Sequence, residues 1–427
     1  MNMKNKLQTI LTVSAIFVAA ISSSAQDKET LNLLVSKGII TQSDADSVSK
    51  KSVAIVESKE KAVKKLTFSG RIQEQFQWLN TDASTGADIA SNTGFQMRRL
   101  YFGVKADLGS GFSGTVTLDM AKTGTNGADY LAEAFITKKV EMDYLNGDLD
   151  LGYKKVQFGF EENTSSSRLL TVERSLATRF FVESQKSGNT RNLGFGSRYT
   201  GAFWQGKIKE VEGLEYGLAV TNSLNYTIKP ATTGAAGTAD NNVNVWVNAS
   251  YSTKIDDFNL KFGVNGGYGP SANIVATNNY GEIFGVNPYI ELKWKGLTLW
   301  GDFLLASVEK GAYGGVGDAT PMGFNIAAEY LFDIDDLGKI GPSIRYSYLD
   351  TDGRGTQIGD GMSGAPNAGL FDKAQSIFIG ANWYIIGNSL KFQAGYEWAQ
   401  YNGQVATQPY RGITDSNGLR MQVQVLF

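Results

Sequence analysis

The chain has 427 residues, with 40 Lys and Arg against 42 Asp and Glu, and it contains neither cysteine nor histidine. The absence of histidine excludes Ser-His-Asp and Cys-His triads and the usual catalytic zinc sites. The formal charge of -2 offers no bulk attraction for nucleic acid. We therefore expect no enzyme, no cofactor or metal site, and no nucleic-acid partner.

The first 25 residues have the pattern of a secretory signal peptide. Lys4 and Lys6 precede a short apolar run from residue 10 to residue 21, and Ser23 and Ala25 form a small-residue cleavage site. The apolar run is too short to span a bilayer as a helix. The pattern predicts an exported protein, and a large closed sheet explains how it manages without disulfides.

Residues 26–65 differ from the rest of the chain and form the predicted second region. Thr41 and Asp44 have the spacing of a capping box for a helix that runs towards Lys65. Residues at alternating spacings of three and four give a weak coiled-coil seam, and a solvated tether is an equal alternative. We expect a short helical periplasmic segment or tether.

From Leu66 onwards the hydrophobic period changes to two. Leu66, Phe68 and Ile72 alternate with Thr67 and Arg71, which is typical of a half-buried strand. Sixteen such segments follow one another: 66–79, 94–108, 112–122, 130–140, 148–160, 191–204, 213–222, 242–253, 258–268, 284–294, 297–307, 322–332, 339–349, 375–386, 389–399 and 418–427. A soluble sandwich also alternates, so the connections must decide between the two folds.

The predicted connections alternate in length. They are short after even-numbered strands, as at Ser110 and at 295–296, and long after odd-numbered strands, as around Ser84 and from Thr351 to Lys373. Outer-membrane barrels combine an even strand number with this asymmetry. We therefore predict an all-β fold, a sixteen-stranded antiparallel transmembrane β-barrel over residues 66–427, with a short N-terminal helical periplasmic segment.

Aromatic residues near the strand ends support contact with outer-membrane lipids. Trp78, Trp294 and Trp383 are examples, and barrels carry such residues at both membrane interfaces. The last strand alternates and ends at Phe427. An amphipathic strand with this aromatic end resembles the signal that the barrel-insertion machinery reads, which makes that machinery a predicted partner.

The loop after the fifth predicted strand is the main candidate for the functional element. Residues 161–182 combine apolar side chains with clustered charge, and long surface loops are usually either functional or disordered. We expect this loop to fold into the barrel and narrow it, while the loop after Thr351 lies outside the narrow part. Within the first loop, we expect Arg168, Arg174 and Arg179 to face the solute, with Lys154 or Lys155 at the base, since arginine suits bidentate contact with phosphate oxygens. Three glutamates are expected to hold these arginines in place and to weaken anion binding.

Alternation also assigns charges on the wall to the interior. The inward cations that complete the predicted pore lining are Arg71, Arg99, Lys105, Arg198 and Arg345. The same rule assigns six carboxylates to the interior, so the predicted wall is only mildly basic: Asp107, Asp119, Glu133, Glu291, Glu329 and Glu397. Each has an alternative interpretation as a solvated wall residue that pairs across strands. Arg98 and Glu74 have lipid-facing parity, where a charge costs up to about 2–4 kcal/mol near the midplane. We expect such positions at the rim, at a bulge or in a subunit contact.

Several blocks of the sequence resemble the phosphate-selective porins of the O and P type. The blocks are FQMRRLYFGVKADLGSGFSGTVTLDM, GYKKVQFGFEENTSSSRLLTVERS, RYSYLDTDGRG and IFIGANWYIIGNSLKFQAGYEWAQY, in the order of that family, between about Leu66 and Phe427. The chain departs from the family at residues 156–159, where Lys-x-Pro-Phe is common. The resemblance implies a homotrimeric porin in the outer membrane of a Gram-negative bacterium, passing small anions such as phosphate.

Two other functions remain open at the level of sequence. A general diffusion porin without phosphate specificity fits the mixed charges of the predicted wall. A secreted structural β-protein fits the alternation, although it gives no reason for the alternating loop lengths. An enzyme housed in a barrel is disfavoured because such sites commonly use histidine, which the chain lacks.

Overall fold

The computed structural model describes residues 63–83, 88–121, 130–183, 192–222, 242–270, 281–310, 317–365, 370–405 and 413–427. Its contacts divide the chain into two units, residues 1–60 with 65–68, and residues 61–64 with 69–427. The described part of the first unit is the beginning of the first strand. The predicted signal peptide and helical segment lie outside the described residues up to residue 62, and both remain predictions.

One antiparallel sheet contains every strand of the described residues. The strands are β1 (Lys65–Ala83), β2 (Asp88–Gly109), β3 (Phe112–Asp119), β4 (Leu131–Glu141), β5 (Leu145–Lys155), β6 (Arg198–Ile208), β7 (Leu214–Asn222), β8 (Val243–Ile255), β9 (Phe258–Gly269), β10 (Ile283–Trp294), β11 (Leu297–Val308), β12 (Met322–Tyr330), β13 (Phe332–Asp333), β14 (Lys339–Asp350), β15 (Phe371–Asn388), β16 (Leu390–Gln404) and β17 (Ile413–Leu426).

The sheet closes on itself. Each strand pairs with the next, and β17 returns to pair antiparallel with β1, from Arg71 opposite Leu426 to Ala83 opposite Ile413. The short β13 continues β12 after a break at Leu331, and both pair with β14. The described strands therefore form sixteen barrel staves, as the sequence predicted. Closure satisfies the backbone groups of every edge, which a bilayer requires.

The barrel has an inverted distribution of polarity. The buried side chains of β1 include Gln73, Gln75, Gln77 and Thr81 besides Leu79, whereas the exposed side chains elsewhere include Phe95 and Ile379. A soluble protein buries its apolar residues and exposes its polar ones. Transmembrane barrels do the opposite, because lipid contacts their outer face and their interior is polar. Alternation therefore positions polar side chains in the lumen.

The short connections have local causes. Ser110, Asp256 and Lys295 have positive φ angles in the turns after β2, β8 and β10, as two-residue hairpin turns require. The predicted alternation of loop lengths holds further along the chain, where long connections follow β3, β5, β7, β9, β11 and β14. It is wrong at the first hairpin, because β1 and β2 extend further than alternation suggested and only residues 84–87 separate them.

Both boundaries of the loop after β5 differ from the prediction, and the start of β6 shows the largest error. Strand β5 ends at Lys155 rather than at residue 160, and β6 begins at Arg198 rather than at residue 191. The described helices are α1 (Phe160–Asn163), α2 (Leu176–Val182), α3 (Ile358–Gly361) and a 3-10 turn (Asp335–Leu337). Within the described residues, no helix has the length and apolar character to cross a membrane.

Candidate functional site

Residues 156–197, here called the inner loop, leave the wall at the end of β5. Phe158 is fully buried and stacks on Phe195, with ring centroids 4.7 Å apart. Gly159 then turns the chain into α1 with a φ of 81°, which favours glycine. The apolar alternation of Val156 and Phe158 therefore reflects packing inside the loop and not a lipid-facing strand.

The middle of the inner loop is hydrogen bonded to the opposite wall. The Nζ atom of Lys391 donates to the carbonyl oxygens of Ser167 at 3.0 Å and Leu169 at 3.2 Å. The amide of Asn382 donates to the carbonyl of Leu170 at 2.9 Å. Lys391 is on β16 and Asn382 on β15, so these bonds hold the loop across the lumen. The predicted inward fold of the loop agrees with this path.

Arg345 holds the inner loop through ion pairs and hydrogen bonds. Its Nη1 atom donates to Glu161 Oε1 at 3.2 Å and to the carbonyl of Glu173 at 2.6 Å, and its Nη2 atom donates to Glu397 Oε1 at 2.7 Å. The side chain is buried completely. Arg345 faces the interior as predicted, but it contacts the loop rather than the solvent, so it anchors the inner loop.

Helix α2 packs the end of the inner loop against the wall. Ser175 caps the helix by accepting a hydrogen bond from the backbone of Thr178 at 3.1 Å. The following residues, Leu176, Phe180 and Phe181, are buried in an apolar cluster that also contains Leu304 of β11. This cluster lies within the barrel, and its dry packing fixes the position of the helix.

The loop between β14 and β15, residues 351–370, also folds inward. Ile358 and Met362 are buried in the same cluster as α2. The carbonyl of Ile358 accepts a hydrogen bond from Tyr401 at 3.4 Å, and Arg420 donates to the carbonyl of Ser363. The prediction that this loop lies outside the narrow part is therefore wrong. Its apolar residues pack against the inner loop, and sequence spacing does not show such a contact.

Four cations gather on the side of the inner loop that faces β1, β5 and β6. We call Arg71, Lys155, Arg174 and Arg198 the passage cluster. The Nε atom of Arg174 lies 2.7 Å from Oε2 of Glu162, and Lys155 forms an ion pair with the same carboxylate. The Nε atom of Arg198 lies 3.6 Å from Oε1 of Glu133. Arg71 donates to Ser166 at 2.6 Å and lies over the ring of Tyr101. Arg71 also interacts electrostatically with Arg174 and Arg198.

The passage cluster has more positive than negative charge. Burial by itself raises the pKa of Glu162, but Arg174 and Lys155 outweigh burial and lower it. Glu162 therefore stays ionised and offsets one cation, while Glu133 offsets another. The side chains of Arg174, Lys155 and Arg198 remain 12%, 19% and 24% exposed, so water reaches them. The cluster can attract small anions from solution.

The other predicted site residues occupy different surroundings. Arg99 is buried on β2 and donates to Gln73 at 2.9 Å. Arg168 is exposed, and Arg179 forms a fork with Glu183, at 3.0 Å from both Nε and Nη2. Lys105 lines a pocket with Lys64 and Lys139 beside the short turn after β2. The structure thus brings four of the nine predicted residues together in the passage cluster.

Sequence alternation missed the position of Arg98. Gln96 contacts Gln75 and Gln77, Arg98 contacts Glu173, and Arg99 contacts Gln73. Both arginines therefore reach the interior, and the alternation of β2 changes phase between them, as at a bulge. The sequence already indicated this change of phase, because strict alternation assigns the charged Arg98 to the lipid-facing side.

Comparison with known families agrees with the sequence resemblance. Residues 67–256 match the family model of phosphate-selective porin O and P. The predicted resemblance is thus confirmed over this part of the chain. No curated protein matches the sequence.

Solved structures share the fold at low sequence identity. The anion-selective porin from Comamonas acidovorans is 11% identical, with a TM-score of 0.56, over 85% of this chain and 99% of that chain. The outer membrane channel DcaP of Acinetobacter baumannii is 11% identical, with a TM-score of 0.51, over 87% and 100%. OmpF of Salmonella typhi, in complex with daunomycin, is 15% identical, with a TM-score of 0.50, over 86% and 100%.

Proposed function

We infer that small anions cross the outer membrane through this chain, a β-barrel porin of that membrane that matches the phosphate-selective porin O and P family over residues 67–256. Passage is passive, since a porin makes and breaks no bonds. The function is therefore that of a channel and not of an enzyme.

The observation that supports anion preference is the charge surplus of the passage cluster. Three of its four cations pair with Glu162 or Glu133, and the fourth, Arg71, interacts with Asp119, so four positive charges face three negative ones. A charge near a narrow water column with low-dielectric walls acts more strongly than the same charge on an open surface. Rings of Arg and Lys in pores favour anions for this reason. Arg71, Arg174 and Arg198 also have the planar fork that suits phosphate oxygens.

Charge reversal in the passage cluster tests this function. The double variant Arg174→Glu, Arg198→Glu should move the reversal potential in asymmetric KCl towards cation preference. A matched control is Lys207→Glu, because Lys207 lies on the same strand as Arg198 and its side chain is 70% exposed. Unchanged ion preference in the double variant, with a folded barrel, would remove the passage cluster from the selectivity mechanism.

General diffusion without phosphate specificity is the second candidate function. The observation that favours it is the pairing of cations with carboxylates, as Arg174 pairs with Glu162 and Arg198 with Glu133. Such pairing weakens the field that a phosphate ion meets. The two candidates differ in whether added phosphate blocks chloride current through the wild-type pore at low concentration.

We also propose two protein partners. Glu74 lies on the outer face of β1 between the buried Gln73 and Gln75, and a subunit contact in a homotrimer would remove this charge from lipid. Phe427 is 54% exposed, which leaves its ring accessible to the barrel-insertion machinery. Chemical cross-linking of the wild type and Glu74→Leu tests the first partner. Outer-membrane levels of folded Phe427→Asp test the second.

A further inference from the structure

The carboxylate of Glu173 lies in a recess that Arg98 and Gln75 line. Arg98 donates to it through two nitrogens, Nε to Oε1 at 2.6 Å and Nη2 to Oε2 at 3.0 Å. The amide of Gln75 donates to Oε1 at 2.8 Å. Bidentate Arg–carboxylate pairs are strong because charge and geometry both favour them, and phosphate oxygens meet the same fork.

The recess holds more positive charge than Glu173 neutralises. Arg98, Arg99 and Arg420 all act electrostatically on this carboxylate. Arg99 donates to Gln73 at 2.9 Å, and Arg420 donates to Gln77 at 3.1 Å. Among the described residues, neither Arg99 nor Arg420 forms an ion pair with a carboxylate. Glu183 and Glu397 also act on Arg98 and Arg420, but each pairs directly with another arginine. The three arginine charges therefore still exceed the one carboxylate that Arg98 binds.

The backbone of Glu173 is held independently of its carboxylate. Its carbonyl accepts hydrogen bonds from Arg345 at 2.6 Å and from Thr171 at 2.7 Å. The loop on this side of Glu173 is thus fixed to β14 through Arg345. Removal of the negative charge should leave the loop in place, while a neutral side chain holds the recess more weakly against a dissolved anion.

Solvent can enter the recess from one side. The Glu173 side chain is 4% exposed, whereas the Arg98 side chain is 28% exposed. Burial raises the pKa of Glu173, but Arg98 and Arg99 outweigh it and hold the pKa well below its usual range. The internal carboxylate therefore stays charged at neutral pH and competes with any dissolved anion.

We propose that the recess formed by Arg98 and Gln75, with Arg99 and Arg420 nearby, is an oxyanion-binding site that the chain's own Glu173 occupies. The side chain of Glu173 acts as an internal competitor, which keeps a phosphate-like anion from being trapped there. Anions then pass at the passage cluster instead. The proposal adds a binding site to the proposed anion channel. It rests on that proposed function only in the measurements of ion current.

The test uses the full-length barrel with Glu173→Gln, and inorganic phosphate as the probe. The variant keeps the shape of the side chain and removes its charge. The phosphate concentration that half-blocks chloride current should fall about tenfold or more relative to wild type, since hydrogen bonds to charged groups strengthen binding by that order. Phosphate should also raise the unfolding temperature of the variant in detergent more than that of wild type.

A second substitution and a control make the test specific. Adding Arg98→Gln to Glu173→Gln should return both readouts to the wild-type values. Glu215→Gln is the matched control, because Glu215 is another carboxylate of the barrel that pairs with a cation away from the recess, and its side chain is 33% exposed. Its removal should not increase the effect of phosphate.

Two outcomes would overturn the proposal. The first is a folded Glu173→Gln barrel with wild-type responses to phosphate, and the second is an equal gain in the Glu215→Gln control. If Glu173→Gln fails to fold, Glu173→Asp replaces it in both measurements. The aspartate keeps the charge but is too short for the bidentate contact with Arg98, so this variant should also respond to phosphate more strongly than wild type. An unchanged response of that variant would also overturn the proposal. The reversal potential of the wild-type pore tests the anion-channel function separately.

Discussion

Arg345 and Glu161 form an ion pair in the interior of the barrel, with Nη1 and Oε1 3.2 Å apart and both side chains inaccessible to solvent. Arg345 also binds Glu397 across the wall at 2.7 Å. One guanidinium thus joins two carboxylates, one from the inner loop and one from β16. Arg345 therefore connects the inner loop to the wall through charge-assisted hydrogen bonds.

Replacing Arg345 by Met should destabilise the barrel by about 3–5 kcal/mol, because the change leaves the carboxylates of Glu161 and Glu397 buried without a cation. Urea unfolding in detergent, followed by tryptophan fluorescence, measures the effect. Lys339→Met is the control, since Lys339 and its partner Asp333 are 51% and 78% exposed. Exposed pairs contribute about 0–1 kcal/mol. Equal effects of the two changes would contradict the assigned role of Arg345.

A disulfide should form between the two loops that fold inward. A Cβ atom built on Gly361 lies 3.7 Å from the Cβ atom of Leu176, which falls within the spacing of disulfides. The double variant Leu176→Cys, Gly361→Cys should therefore cross-link under mild oxidation. Because the natural chain has no cysteine, counting free thiols in the folded barrel measures the yield directly.

Each single cysteine variant serves as the control for this cross-link. Neither should lose its thiol within the monomer. Free thiols that persist in the folded double variant would show that the β14–β15 loop does not pack on α2. The earlier expectation that this loop lies outside the narrow part would then be restored.

The stability of the barrel should fall in acid. Interactions with cations lower the pKa of both Glu162 and Glu173 below the ordinary value of 4.5, against the effect of burial. A lowered pKa in the folded state means that these carboxylates stabilise the fold above pH 4.5, and that this stabilisation is lost as pH falls through the folded-state pKa. Unfolding midpoints between about pH 6 and about pH 2 measure the decline.

Glu162→Gln should flatten this dependence, because the variant has one fewer carboxylate to protonate. Glu309→Gln serves as a control outside the inner loop. A decline in the Glu162→Gln variant as steep as that of wild type would mean that other groups cause the acid sensitivity.

Phe158→Ala should destabilise the barrel by about 3–5 kcal/mol, since it removes a fully buried ring and leaves a cavity beside Phe195. Ile379→Ala is the comparison, because Ile379 is 61% exposed on the outer face. Unfolding in detergent should separate the two clearly. Similar small losses would restore Phe158 to a lipid-facing strand, as alternation suggested.

Sequence predictions succeeded where they depended on neighbouring residues, and they failed where they depended on contacts between residues far apart in the chain. The period of two and the turn residues are local, so they determined the number of staves, their order and most of the connection lengths. The strand pattern also correctly assigned cations such as Arg71 of β1 and Arg198, the first residue of β6, to the interior. The pattern failed for Val156 and Phe158, since a loop that packs on itself shows the same alternation as a strand.

The sequence by itself determined that this chain is a β-barrel with a polar lumen, because each strand carries its own alternation and each tight turn its own residues. Only the tertiary structure decided which charges meet. Glu173 lies 75 positions from Arg98, and Glu161 lies 184 positions from Arg345. These pairs depend on the path of the inner loop across the lumen, and contacts with several distant strands together fix that path.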